Sequence, residues 1–198
     1  SHSFIMLSPV LIIACGGKSK RMGVDKCFLN YHGLPQYHHL QKLLKPYFPE
    51  IYFSIRKEQL TAFSSVENII PDLEQYAGHG PISGLLSCAS TFPDHNILFI
   101  GCDYPLINVD DVLRLTTDFK NDNSSAYFNE FYEPLLALYK HQCFVLLRTE
   151  FTKGNFSLQK ILAQMNPNKL QAEDKRRLKS IDTKEEFNKV MAEIHKIT

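Results

Sequence analysis

Short apolar segments alternate with longer amphipathic segments over the first 120 residues of the chain. Residues 10–15 are an unbroken apolar run rich in β-branched side chains, which is typical of a strand buried on both faces. Three further strands are predicted at residues 51–55, 67–70 and 96–101. Because strands that alternate with helices form parallel crossovers, the pattern predicts an α/β fold with a largely parallel sheet.

The segments between these strands have the hydrophobic spacing of helices and residues typical of helix ends. Helices are predicted at residues 36–47, 80–92 and 109–119. At the start of the last one, Asn108 is placed to cap the N-terminus. Asp110 and Asp111 follow in the first turn, where the helix dipole favours negative charge.

Beyond residue 120 the pattern is less regular. It predicts strands at residues 124–129 and 135–139, and helices at residues 141–150 and 183–195. The charged run at residues 174–178 is interpreted as a solvated loop. Since no repeat or linker divides the chain, we expect one domain over residues 1–198, with residues 1–3 left by an expression vector.

Composition narrows the class of protein. With 198 residues, 44% of them hydrophobic, the chain can bury one substantial core. A net charge of +1 provides no overall basic field for nucleic acid, and the longest apolar run near the N-terminus is too short to cross a membrane. Five widely spaced cysteines without a C-x-x-C pair favour reduced thiols. We therefore expect a cytoplasmic protein that binds neither nucleic acid nor membranes.

The clearest chemical pattern directly follows the first predicted strand, at residues 14–26. Gly16 and Gly17 allow the backbone to approach a ligand closely. Hydroxyl and cationic side chains follow, among them Ser19, Arg21 and Lys26. Amide groups combined with positive side chains suit the crowded oxygens of a triphosphate. By themselves, the two glycines would also fit an ordinary turn before a solvated basic loop.

Two aspartates extend this pattern. Asp103 follows the strand predicted at residues 96–101, so it lies at the edge of the sheet where open α/β folds bind ligands. Mg²⁺ prefers hard oxygen ligands and often uses one or two carboxylates plus substrate phosphates, which makes Asp103 a candidate metal ligand. Asp72 precedes a glycine-rich block at residues 78–84. Its position after Pro71 would also fit an Asx-turn.

Together these motifs resemble the signature of the nucleotidyltransferase superfamily, and in particular that of the molybdenum cofactor guanylyltransferases. The most specific part is G-G-x-S-x-R-M-G followed by D-K, at residues 16–26. Four further segments resemble family elements: G-x-P at residues 33–35, an aspartate with G-P-L-A-G at residues 72–84, C-D-x-P at residues 102–105, and P-L-x-A-L-Y at residues 134–139.

The resemblance implies a three-layer αβα fold with a Rossmann-like, mostly parallel sheet. It implies Mg²⁺-dependent transfer of GMP from GTP to molybdopterin, which gives the guanine dinucleotide cofactor and pyrophosphate. The implied catalytic residues are Lys26, Arg21 and Asp103, with Asp103 as the metal ligand. The implied nucleotide-binding residues are Ala14, Cys15, Gly16, Gly17, Ser19, Lys26, Asp72, Pro81 and Gly84. Proteins of cofactor biosynthesis and cofactor-receiving apoenzymes are candidate protein partners.

The chain departs from the family pattern near its C-terminus. Residues 181–187 resemble a closing N-T-P-E-E segment, but Asp182 replaces the asparagine and Lys184 the proline. Because that asparagine is associated with the acceptor, its replacement weakens the assignment of the pterin. Three alternatives stay open: a cytidylyltransferase acting on the same pterin, a sugar-phosphate nucleotidylyltransferase, and a non-catalytic nucleotide-binding homologue. The pairing of Lys26 with Asp103 argues against the last. His79 lies within the expected base-pocket loop, where it either touches a ligand or faces solvent.

Overall fold

A seven-stranded sheet forms the centre of the fold in the computed structural model, which describes residues 8–17, 23–117 and 124–197. The strands are β1 Val10–Ala14, β2 Ile51–Ile55, β3 Ile69–Pro71, β4 Ile97–Gly101, β5 Ser125–Phe128, β6 Tyr132–Tyr139 and β7 Asn168–Leu170. Their spatial order is β3-β2-β1-β4-β6-β5-β7. Strand β6 runs antiparallel to both of its neighbours, and the other strand pairs in these ranges are parallel. The predicted α/β fold with a mostly parallel sheet is confirmed.

Helices cover both faces of the sheet. They are α1 Gln36–Leu44, α2 Pro81–Thr91, α3 Val109–Thr117, α4 Phe144–Thr152, α5 Leu158–Gln164 and α6 Lys184–Ile197. Because side chains alternate along a strand, Leu11 and Ile13 of β1 pack with α1 and α3, whereas Ile12 packs with α2, α4 and α5. The result is the expected three-layer αβα arrangement. No helix within the described ranges is both long and apolar enough to cross a membrane.

Several predicted boundaries are wrong for local reasons. Strand β3 begins at Ile69 because Asn68 adopts a left-handed backbone conformation, with φ of 59°. Strand β6 begins at Tyr132, three residues before the predicted start. Helix α5 and strand β7 were not predicted, since seven and three residues carry too little periodicity. Residues 174–178, predicted as a solvated loop, contain a 3-10 turn at Lys175–Leu178, in which Lys175 and Arg176 are exposed.

The N-terminus of α3 is capped as predicted and is also joined to the C-terminal part of the chain. Asn108 Oδ1 accepts a hydrogen bond from the Asp111 amide at 2.9 Å, and Asp111 Oδ2 accepts one from the Asn108 amide at 3.1 Å. Asp111 is only 1% exposed, and its Oδ1 lies 3.3 Å from the guanidinium of Arg177. One carboxylate therefore completes the helix cap and links α3 to the 3-10 turn.

Replacing Asp111 with alanine is expected to lower the free energy of unfolding by about 2 kcal/mol, because it removes a cap and leaves Arg177 without its carboxylate. Urea unfolding at pH 7 measures this loss. The matched control is Asp110→Ala, since Asp110 stands in the same helical turn but is exposed. The free energy of unfolding of Asp110→Ala is expected to fall by no more than about 1 kcal/mol, the typical size of a helix-dipole effect. Equal losses for the two variants would contradict the assigned role of Asp111.

Candidate functional site

A cleft of about 480 Å³ opens at the carboxyl ends of β1 to β4. This is the edge of a parallel sheet where ligands bind, because the strand ends and the following loops converge there. Seven sequence-predicted residues line it: Ala14, Gly16, Gly17, Asp72, Pro81, Gly84 and Asp103. Six further lining residues were not predicted as site residues: Ser54, Arg56, Gly78, Gly80, Phe99 and Leu135. Ser19 and Arg21 lie outside the described residues.

Cys15 is oriented differently from its neighbours in the glycine-rich segment. Its side chain is 1% exposed and its Sγ lies 3.8 Å from Sγ of Cys102, in the core layer shared with α1 and α3. Its amide donates to the Ser54 carbonyl at 2.8 Å, and its own carbonyl accepts from Gln59 Nε2 at 3.0 Å. Both backbone groups of Cys15 are therefore engaged within the protein, and the backbone that faces the cleft belongs to Ala14, Gly16 and Gly17.

Lys26 joins two distant carboxylates next to the cleft. Its Nζ donates to Asp103 Oδ2 at 3.1 Å and to Asp182 Oδ1 at 2.5 Å. Burial of the side chain opposes the charged form, but the two carboxylates outweigh this penalty and raise the pKa of Lys26. The amine is therefore a fixed positive charge at neutral pH.

Asp103 is held by groups from the C-terminal part of the chain as well as by Lys26. The Asp103 carbonyl accepts from the Ile181 amide at 3.3 Å, and Oδ2 accepts from the Ser180 hydroxyl at 3.4 Å. Oδ1 lies on the side of Gly17, at 3.7 Å from the position that a β-carbon on that glycine would occupy. The carboxylate thus lies between the glycine turn and the segment that leads into α6.

The donor set around Asp103 fits a particular kind of metal site. A carboxylate supplies the hard oxygen that Mg²⁺ prefers. Within the described ranges, no group of three or more His, Cys, Asp or Glu side chains is arranged to hold a metal ion. The residues therefore fit a Mg²⁺ that is shared between Asp103 and the phosphates of a substrate, and not one enclosed by protein ligands alone.

Asp72 provides a second carboxylate, at the far side of the cleft after β3. It is 8% exposed, and burial together with the charge of Glu58 raises the pKa of this carboxyl to about 6, although Arg56 acts in the opposite direction. No donor in the described parts of the chain forms a hydrogen bond with its oxygens. A buried carboxylate with free acceptor capacity is suited to binding N–H donors of a ligand.

The start of α2 lies beside Asp72. Gly80 precedes the helix with φ of 76°, and Pro81 occupies its first position, where a missing amide proton costs nothing. A β-carbon added to Gly84 would overlap Oγ of Ser54 and would lie 3.7 Å from Asp72 Oδ1. Glycine at residue 84 therefore lets α2 pack closely on β2 and keeps the space next to Asp72 open.

Comparison with known proteins identifies the family. A family model described as a MobA-like NTP transferase domain matches residues 11–170, which is most of the chain. The chain belongs to the MobA-like NTP transferase family. The match contains both ends of the glycine-rich segment, as well as Lys26, Asp72 and Asp103, whereas Asp182 lies beyond it.

Individual relatives agree with this assignment. A probable molybdenum cofactor guanylyltransferase of Clostridium perfringens is 30% identical over 156 residues, which cover 77% of this chain and 76% of the relative. The molybdenum cofactor biosynthesis bifunctional protein of Synechocystis sp. is 33% identical over 135 residues, 63% of this chain but only 39% of that longer protein. The structure of molybdopterin-guanine dinucleotide biosynthesis protein A of Archaeoglobus fulgidus superposes with a TM-score of 0.78 over 94% of this chain and 98% of that chain, at 20% identity. This last similarity supports the fold.

His79 of this MobA-like chain lies on the surface. Its ring stacks on Phe156 with 3.9 Å between ring centroids and meets Phe151 edge-on at 5.1 Å. Its amide donates to Ser83 Oγ at 3.0 Å. The side chain is exposed, as expected for a loop histidine, and it packs on aromatic residues at the end of α4 and in the following loop.

Arg56 is the charged residue among the six lining residues that the sequence interpretation missed. It directly follows β2, and its Nε donates to the Gly16 carbonyl at 2.8 Å. The signal was available, because the argument that placed Asp103 at the ligand edge applies equally to the first charged residue after any parallel strand. Gln59, three residues later, had no such signal, since only the folded structure brings it to the Cys15 carbonyl.

Replacing Asp72 with asparagine is expected to stabilise this MobA-like domain above pH 6. The fold raises the pKa of Asp72 from 3.8 to about 6, so the folded chain binds this proton more tightly than the unfolded chain does. The stabilisation that comes from this tighter proton binding is fully present below about pH 4 and is lost as the pH rises through 6. Asp72→Asn should therefore raise the free energy of unfolding at pH 8 by about 1–3 kcal/mol, and the gain should disappear near pH 4.

Urea unfolding of the wild type and the variant across this pH range measures the effect. Asp110→Asn, which changes an exposed carboxylate, is the matched control and should show no such gain at pH 8. An Asp72→Asn variant that is less stable than the wild type at pH 8 would refute the account of a buried carboxylate without donors.

Proposed function

We propose that this chain is a Mg²⁺-dependent guanylyltransferase that moves GMP from GTP to the phosphate of molybdopterin and releases pyrophosphate. The observation that carries the proposal is the buried Lys26 ammonium, which contacts the carboxylates of Asp103 and Asp182 beside the Gly16-Gly17 turn. A domain that only binds a nucleotide has no need for a buried lysine aligned with a carboxylate at the phosphate end of the cleft. The names of the relatives support the choice of GTP and molybdopterin.

The base end of the cleft is assigned to Asp72 and to the start of α2 at Pro81 and Gly84. Guanine presents an N1–H and an exocyclic amine on one edge, and a carboxylate accepts hydrogen bonds from both. In the same orientation adenine presents the N1 acceptor and a C2–H at these positions, so Asp72 would lose both N–H donors if ATP were bound. The space beside Asp72 that Gly84 preserves supports this assignment.

The phosphate end is assigned to the glycine turn, with Gly16 and Gly17 providing backbone and Ser19, Arg21 and Lys26 providing side chains. Ala14 and the backbone next to Cys15 would border the sugar and the base. Bound Mg²⁺, held by Asp103, would neutralise charge on the triphosphate. Lys26 stays protonated because Asp103 and Asp182 surround it, so it is available as a positive charge near the α-phosphate.

The reaction is proposed as a direct displacement. A phosphate oxygen of the acceptor attacks the α-phosphorus of GTP in line, and the bond to the pyrophosphate oxygen breaks. Catalysis then comes from positioning and from stabilising charge on the leaving group. No covalent intermediate is needed, which is consistent with the two cysteines nearest the site: burial raises the pKa of both Cys15 and Cys102 and keeps them protonated.

The setting of the reaction is also a proposal. The five cysteines are free, and four of them are buried, which suits a reducing compartment such as the cytoplasm. We propose that the transferase acts there as a single domain. Its protein partners would be enzymes that supply the pterin or apoenzymes that receive the finished cofactor.

Pyrophosphate release from each of the four nucleoside triphosphates, with Mg²⁺ and with or without molybdopterin, tests the proposed activity. Release is expected only with GTP and the pterin together. Lys26→Ala should reduce kcat by roughly 100-fold to 1,000-fold, because one preorganised electrostatic donor is lost. Lys57→Ala, which removes an exposed lysine outside the cleft, is the matched control and should retain activity. A preference for CTP, or turnover with a sugar phosphate but not with the pterin, would overturn the assignment of the substrates.

Asp72→Asn tests the assignment of the base pocket. The variant is expected to lose about 10-fold to 100-fold in kcat/KM for GTP, since it weakens hydrogen bonds to a charged acceptor. Inosine triphosphate lacks the exocyclic amine, so the wild type should discriminate against it and the variant should discriminate less. Steady-state kinetics with both nucleotides measure the ratio, with Asp110→Asn as the control. An unchanged ratio of GTP to inosine triphosphate would place the base elsewhere.

A further inference from the structure

Two side chains on one turn hold the two ends of the glycine-rich segment together. Strand β2 ends at Ile55, Arg56 follows, and a 3-10 turn spans Lys57–Gln59. The Arg56 amide donates to Gln59 Oε1 at 2.9 Å, which fixes the orientation of the Gln59 amide group. Gln59 is 3% exposed, so its Nε2 is confined to partners within the protein.

Four hydrogen bonds run from this turn to the segment. On one side, Arg56 Nε donates to the Gly16 carbonyl at 2.8 Å and Gln59 Nε2 donates to the Cys15 carbonyl at 3.0 Å. On the other side, Arg56 Nη2 donates to Asp25 Oδ1 at 2.8 Å and Gln59 Nε2 donates to Asp25 Oδ2 at 2.9 Å. Each donor side chain thus reaches both ends, and both oxygens of Asp25 are used.

The end held at Asp25 is directly connected to Lys26. The Asp25 carbonyl accepts from the Phe28 amide at 3.0 Å, which starts the 3-10 turn at Lys26–Phe28. Cys27, which follows Lys26 in the chain, is completely buried, and its Sγ lies 3.8 Å from Gln59 Nε2. Any displacement of Asp25 would therefore move the backbone from which Lys26 reaches Asp103.

We propose that Arg56, Gln59 and Asp25 form a clamp that fixes Lys26 and the glycine turn in their places at the cleft. These three are positioning residues. Their effect on turnover rests on the proposed guanylyl transfer, whereas their effect on the geometry of the segment does not. The ion pair of Arg56 with Asp25 is largely shielded from water, so it is screened less than a surface pair would be.

The geometry requires a guanidinium and not merely a positive charge. Nε and Nη2 lie on the same edge of the planar group, so one side chain donates to Gly16 and to Asp25 at once. A lysine carries the same charge but cannot reproduce this planar, two-point arrangement. Arg56→Lys therefore distinguishes two roles of Arg56: a clamp, which needs the planar guanidinium, and a positive charge that only attracts phosphate.

Alkylation of individual cysteines tests the clamp without any substrate. Iodoacetamide is applied to the native protein, and mass spectrometry measures the rate at Cys15, Cys27 and Cys88. In Arg56→Lys, the rates at Cys15 and Cys27 should rise at least about 10-fold, since an opening that costs 1.4 kcal/mol less is ten times more populated. Cys88, in α2, should keep its rate and so reports that the domain is still folded.

Two further variants sharpen this test. Gln59→Leu removes the amide donors while keeping most of the side-chain volume next to Cys27. Faster alkylation in this variant therefore reports the loss of the hydrogen bonds and not a cavity left by a smaller side chain. Glu58→Gln is the matched control for alkylation, because it removes the exposed contact of the same guanidinium, at 3.5 Å, and keeps the four hydrogen bonds of the clamp. It should leave the alkylation rates at Cys15 and Cys27 unchanged.

Steady-state kinetics then measure the effect on transfer. Arg56→Lys and Gln59→Leu should lower kcat about 100-fold, the typical cost of misplacing a catalytic group by about 1 Å, and should raise KM for GTP much less. Unchanged alkylation of Cys15 and Cys27 in both variants would overturn the clamp, and wild-type kcat alongside faster alkylation would overturn its positioning role. If the wild type fails to use GTP and molybdopterin, the proposed function is lost, and the alkylation rates alone decide whether the clamp exists.

Discussion

A buried ammonium held between two carboxylates is the interaction on which the site depends. Lys26 comes from the segment after β1, Asp103 from the end of β4 and Asp182 from the approach to α6. Burial alone would favour the neutral amine, so the charge persists only because both carboxylates offset the loss of hydration. The same contacts join the C-terminal segment to the sheet edge, and stability and the proposed chemistry therefore share one set of atoms.

Asp72 shows the opposite arrangement within the same cleft. Its carboxylate is buried, no cation or N–H donor in the described ranges contacts its oxygens, and burial together with the charge of Glu58 raises its pKa. In the proposed function these free acceptors serve a ligand, because a donor within the protein would occupy the oxygens to which we assign recognition of the base. The cleft thus combines a compensated charge at Lys26 with an uncompensated one at Asp72, where the binding energy of the proposed guanine would offset the cost.

The sequence predicted the parts of this site that depend on local pattern. Asp103 could be placed because a carboxylate after a buried parallel strand lies at the ligand edge, and the pattern located β1, β2 and β4 to within about a residue. The contact of Asp182 with Lys26 could not be predicted, since 156 residues separate them and no periodicity encodes that approach. Helix α5 and strand β7 were missed for a related reason: tertiary packing, and not their own short patterns, stabilises them.

Asp182 also bears on which acceptor the site tolerates. The sequence resemblance places an asparagine at this position, so the carboxylate of Asp182 adds negative charge beside Lys26, and the phosphate of the proposed acceptor would be repelled by it. The side chain of Asp182 is 59% exposed, however, so solvent and salt screen its charge far more than that of Asp103, which is 19% exposed. Its nearest charge is the Lys26 ammonium at 2.5 Å, which cancels much of the remaining field. The substitution is therefore compatible with an acceptor that carries a phosphate, and the difference between carboxylate and amide would act mainly on how firmly Lys26 is held before the substrates bind.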